Sequence, residues 1–149
     1  MKKYLLLILT LAYVAYSNAQ ELNIHVQKIS WSAKKNGQIK IKDLIKKADC
    51  NYIIDLQNKK MDVIFNYDRP SLKGIDIQVS EMNGVYTIEF DDLDSFSNTI
   101  KQHVLMLVDL NLEKVQWNNW YQFPGENHTT ETNIEFLDFD ISKNFNEAM

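Results

Sequence analysis

The chain has 149 residues, a single cysteine, and 16 lysines and arginines against 20 aspartates and glutamates, for a formal charge of −4. That length suits one ordinary domain with a sizeable core. The lone thiol rules out an internal disulfide, and the net negative charge speaks against nonspecific binding to nucleic acid or to an anionic membrane surface.

The first nineteen residues read as a cleavable signal peptide. Lys2 and Lys3 supply the positive start, the run from Tyr4 to Tyr16 the apolar stretch, and Ser17-Asn18-Ala19 the small side chains before a cleavage site. A permanent membrane helix needs about 20 apolar residues, more than this run provides. The expected product is exported, periplasmic or extracellular, begins at Gln20 and has no stable membrane span. Residues 20–149 are expected to form a single β-rich domain, since they contain no linker-like stretch and no internal repeat. They carry fourteen basic against twenty acidic side chains. The charge is divided: residues 20–60 hold nine lysines and four acids, residues 61–149 five basic groups and sixteen acids. Neutralisation between neighbouring parts of one fold accounts for this as readily as a basic docking face does.

In chain order, Leu22, Ile24 and Val26 alternate on even positions while Ile29 and Trp31 continue on odd ones, which predicts a first strand with a bulge near Lys28. Residues 38–49 fit either a short strand or a helical turn or two with Ile41, Leu44, Ile45 and Ala48 on one stripe, and the helical form is the expectation. Cys50 is expected to be a small buried hydrophobe. A hairpin follows around Asn58-Lys59, pairing Leu56 with Met61, Ile54 with Val63 and Tyr52 with Phe65, and Arg69-Pro70 ends its second strand.

The next hairpin has the strongest signal, Asn83-Gly84, between Gly74–Ser80 and Val85–Asp91. Setting Met82 opposite Val85 brings Val79 opposite Ile88 and Ile77 opposite Phe90, with Asp76, Gln78, Thr87 and Glu89 on the other face. Residues 96–112 have both helical and strand spacing, and the strand is expected, with Val115–Phe123 as its partner. The last segment changes parity between Ile134, Phe136 and Leu137, Phe139, Ile141, which predicts a bulge near Phe136. The predicted fold is mainly β: an antiparallel meander of about eight strands curling into a small barrel or a two-layer sandwich, with at most one or two short helices.

Paired-histidine zinc motifs, paired cysteines, glycine-rich phosphate loops and the serine elbow are missing from the sequence, so no cofactor and no metal site is expected. Ser32-x-x-Lys35 matches a penicillin-enzyme pattern, but 130 residues cannot house that fold. His25, His103 and His128 lie in separate segments. The run Asp91-Asp92-Leu93-Asp94 lacks the spacing and central glycine of a calcium loop. Asn127-His128-Thr129 has the pattern of a glycosylation site.

The candidate ligand-binding residues are Trp117, Asn119, Trp120, Tyr121 and Gln122. Aromatic rings interleaved with amides suit contact with sugars or peptides, through stacking and paired hydrogen bonds. On a strand, Trp117, Asn119, Tyr121 and Phe123 share one face, expected to be core, and Trp120 stands on the other. The function expected first is a noncatalytic binding module for a small molecule, glycan or protein. A small carboxylate- or metal-dependent hydrolase built around residues 91–94 and a histidine is the alternative. A third possibility is a structural or assembly role at the envelope, which an exposed unpaired edge strand would favour.

Overall fold

The computed structural model describes residues 21–93, 101–123 and 125–144. The signal-peptide segment, Asp94, Phe96, Ile100 and Pro124 lie outside them. The described residues form nine antiparallel strands: β1 (Glu21–Lys35), β2 (Gln38–Asp55), β3 (Lys60–Phe65), β4 (Leu72–Asp76), β5 (Gln78–Met82), β6 (Val85–Leu93), β7 (Lys101–Asp109), β8 (Lys114–Tyr121) and β9 (Thr130–Asn144). They make one sheet in the order β4-β3-β2-β1-β9-β8-β7-β6-β5.

The two outer members of that order are consecutive in sequence, separated only by Ile77. β4 and β5 therefore behave as one strand divided at Ile77, whose first half pairs with β3 and whose second half pairs with β6. Because a single chain segment joins both ends of the sheet, the sheet must curl into a nearly closed barrel. Ile77 leaves the ladder, and its N–H donates instead to the Lys59 carbonyl, 3.1 Å away. The predicted hairpin register holds from Met82↔Val85 to Gln78↔Glu89 but stops short of an Ile77–Phe90 pair. Both turn residues have the positive φ that a two-residue hairpin turn requires, 53° at Asn83 and 82° at Gly84.

The three longest strands bend at one level. β1 skips Gln27 between its pairs with β2 and with β9, β9 skips Leu137, and β2 skips residues 48 and 49. A bulge reverses which parity faces inward, so Leu22, Ile24 and Val26 are buried below the bend while Ile29 packs against the same core from above it. Both parity changes seen in the sequence correspond to these bulges. Below the bend the sheet continues from β2 to β3; above it, from β9 to β8.

Two expectations are corrected. Residues 38–49 are strand, not helix, because their pairing with β1 supplies a backbone partner across almost the whole segment. The β2–β3 register is shifted by two residues from prediction, to Asp55↔Lys60, Ile54↔Met61 and Tyr52↔Val63. The turn has four residues because Asp55 accepts from both the backbone N–H and the side-chain amide of Asn58, each at 2.8 Å, while Lys59 takes a φ of 54°. A shift of two preserves facing, so Ile54, Met61 and Val63 are buried as expected.

Within the barrel, the Tyr52 ring lies 5.6 Å from Trp117 and 5.4 Å from Phe136, and Phe90 is 5.5 Å from Trp117. Tyr52 on β2 and Trp117 on β8 belong to strands that are not sheet neighbours, so this contact spans the interior. Cys50 is 4% exposed beside this cluster, and burial pushes its thiol pKa up, partly offset by a hydrogen bond from Tyr52. In the native protein at pH 8, Cys50 is expected to react with a thiol reagent roughly a hundredfold or more slowly than in urea, since attack requires both opening and ionisation. Reaction traces with and without denaturant check this, and equal rates would place the thiol at the surface.

Candidate functional site

β8 alternates as the sequence predicts as far as Tyr121, where it ends; Phe123, expected on the core face of the same strand, lies beyond it and is 39% exposed. Trp117 belongs to the interior aromatic cluster, and Asn119 shares its side of the sheet, donating to Gln102 Oε1 at 3.0 Å. Tyr121 shares this parity, and its ring meets Phe123 edge-on at 5.4 Å. Trp120 projects from the opposite, outer face and is half-buried there. The five candidate residues therefore do not form one surface. Gln122 serves the following loop, its side-chain amide donating to the Glu126 carbonyl.

The surroundings of Trp120 come from cross-strand register rather than from its sequence neighbours. His103 lies directly opposite on β7 and Glu131 on β9, and each leads to a further partner, Asp91 beyond His103 and Lys34 beyond Glu131. The outer face thus carries the row Asp91, His103, Trp120, Glu131, Lys34. The His103 and Trp120 rings are 5.8 Å apart at 30°, and His103 Nδ1 is 2.8 Å from Asp91 Oδ1. A carboxylate on one ring nitrogen fixes the imidazole plane against the indole. Two residues before Trp120, Asn118 occupies the same face, and its Oδ1 accepts from Asn133 Nδ2 at 2.5 Å. The amide beside Trp120 is therefore Asn118, not Asn119.

Trp120 also forms one side of a shallow groove of about 400 Å³, completed by Lys34, Asn36, His128, Thr129 and Glu131. Asn127 of the glycosylation pattern lies on it as well. The loop that supplies its far wall is held by charge: Lys35 Nζ donates to Glu126 Oε1 at 2.8 Å, and His128 Nε2 sits 3.1 Å from Glu126 Oε2. The hydrogen bond from Lys35 holds the Glu126 carboxyl below the usual glutamate range.

A depressed carboxylate pKa contributes stability above its unfolded value, and that contribution disappears as pH falls through the folded value. The loop is therefore expected to loosen below about pH 4, the ordinary glutamate range. Proteolytic nicking at residues 125–129 should rise on acidification in the wild type and be already high, with little pH dependence, in Glu126→Gln. Identical nicking profiles for the two proteins would contradict this role for the Lys35–Glu126 pair.

Glu131 and Lys34 were not singled out from the sequence, and His103 was weighed there apart from Trp120, because all three join Trp120 only through the β7–β8, β8–β9 and β9–β1 ladders. His25 stands apart, with Nδ1 2.7 Å from Asn51 Oδ1, so the three histidines are not gathered into one site. Among the described residues, no three His, Cys, Asp or Glu side chains converge as metal ligands would. No family model, curated protein or solved structure matches the chain.

Proposed function

We propose that the protein is an exported, noncatalytic binding module that holds a glycan against Trp120. One observation supports this above the rest: a half-buried indole on the outer face of a rigid sheet borders a groove whose other sides are amide, hydroxyl, carboxylate and imidazole groups. A sugar ring offers an apolar C–H face suited to stacking and hydroxyls at its rim suited to such groups. The His103–Asp91 pair braces the indole, which lowers the ordering cost of binding.

An array of neutral oligosaccharides tests the reading. Wild-type protein should bind at least one glycan, and Trp120→Ala should lose that binding by tenfold or more, which corresponds to about 1.4 kcal/mol. Glu131→Gln should weaken the same interaction by a smaller factor. Absence of wild-type binding across the array, or unchanged binding by Trp120→Ala, would defeat the proposal. Export predicts a mature N-terminus at Gln20, which mass spectrometry of the secreted or periplasmic product reads directly.

A further inference from the structure

The bend in the three long strands leaves two strand edges without a ladder partner among the described residues. β2 pairs with β3 only over residues 50–55, so the outer edge of residues 38–48 is open. β9 pairs with β8 only over residues 130–135, so the outer edge of residues 136–144 is open too. We propose that these edges bind one another between copies, the β2 edge of one molecule adding to the β9 edge of the next in a head-to-tail assembly. The contact is independent of the Trp120 groove, none of whose lining residues belongs to either edge.

Charge selects this pairing. The β2 edge carries Lys40, Lys42, Lys46 and Lys47 against Asp43 alone. The β9 edge carries Asp138 and Asp140 against Lys143 and borders a groove of about 540 Å³ whose far wall includes Glu113 and Leu110. Joining two β2 edges would set lysines against lysines, and joining two β9 edges aspartates against aspartates, which is destabilising across strands. The mixed pair brings an edge of net charge +3 (four lysines, one aspartate) to one of net charge −1 (two aspartates, one lysine).

Side-chain facing agrees. Leu44 and Lys46 lie opposite Trp31 and Ile29, on the interior side, leaving Ile45 and Lys47 outward. On β9, Phe139 and Ile141 pack inward, leaving Asp138 and Asp140 outward. An antiparallel register with Lys47 opposite Asp138 sets Leu44 opposite Ile141 on the inner side and Ile45 opposite Asp140 on the outer side, so outer meets outer; its one opposite-sign pair is Lys47 with Asp138 and its one like-sign pair Lys42 with Lys143. Ile39 at 60% exposure, Ile45 at 59% and Leu137 at 45% lie on or beside these edges. Lysines on an edge commonly deter strand addition, but they deter a basic or neutral neighbour, not an acidic one. Because the two surfaces differ, the contact is heterologous and propagates unless its rotation closes a ring.

Sedimentation velocity of the purified protein at low salt tests this. The average mass should rise above that of a single chain between micromolar and millimolar concentration and return to it in molar salt, which screens the pairing. The variants K40E/K42E/K47E and D138K/D140K should each associate at least tenfold more weakly, while an equimolar mixture of the two should recover association, since each supplies the complement the other needs. Recovery also shows that both variants are folded. A wild type that stays monomeric throughout, variants that associate like the wild type, or a mixture that stays monomeric would each overturn the proposal.

Discussion

Ile77→Asp should unfold the protein, while its neighbour Gln78→Asp should leave the melting temperature nearly unchanged. Ile77 is 5% exposed at the junction where one chain segment passes from β3's partner to β6's partner. An aspartate on this buried face loses its hydration, at a cost of several kcal/mol set against a total domain stability of about 5–15 kcal/mol. The same position also closes the barrel through its N–H bond to Lys59, so local unfolding would separate β4 from β5 and open both ends of the sheet. Val63→Asp, at a site 2% exposed on β3, is expected to be equally severe. Asp62→Asn is the matched control on the outer face. Asp62 Oδ1 accepts the Gly74 N–H at 2.7 Å, and asparagine keeps a carbonyl oxygen that can do the same. Thermal melts followed by circular dichroism separate the two classes, and equal melting temperatures for buried and outward substitutions would show that the facing is wrong.

Facing was legible because it depends on parity, and parity survives most local errors. Asn83-Gly84 fixed its turn, and the alternation on either side then determined every pair of that hairpin except the one at Ile77. Asn58-Lys59 is a weaker signal, and the capping by Asp55 that lengthens this turn involves a residue three positions earlier, outside the usual turn signature. Even so, the error was two residues and no side chain changed sides. Residues 38–49 misled for a physical reason: above the bend β2 has one neighbour only, so its side chains are largely solvated and show no clean alternation. Tertiary pairing with β1 overrides the weak local preference there.

The candidate site was half legible. That Trp120 opposes Trp117 and Tyr121 follows from strand geometry alone, whereas His103, Glu131 and Lys34 are brought to it by three separate ladders whose registers depend on turn lengths. The choice of Asn119 over Asn118 reflects counting along the sequence instead of across the sheet. The same limit hides the two open edges: nothing in the residues of β2 or β9 states that β3 and β8 stop short of covering them.

Trp117→Ala should destabilise the protein by about 3–5 kcal/mol, the range for emptying a large aromatic site, whereas Trp120→Ala should cost about 1 kcal/mol. Trp117 touches Tyr52 and Phe90, which reach it from strands on either side of the barrel, so its removal leaves a void between walls that no single strand movement can fill. Edge-to-face contact with Phe90 adds to the loss, by roughly 0.5–1.5 kcal/mol. Trp120 has the His103 ring on one side and the groove on the other, so an alanine there exposes surface instead of creating a cavity. In melts run side by side, Trp117→Ala should fall by roughly 10–20 °C and Trp120→Ala by only a few degrees. If both fall equally far, Trp120 is a packing residue and the groove beside it is no contact site. If Trp120→Ala keeps its stability and loses the glycan bound by the wild type, the indole acts through contact with the ligand.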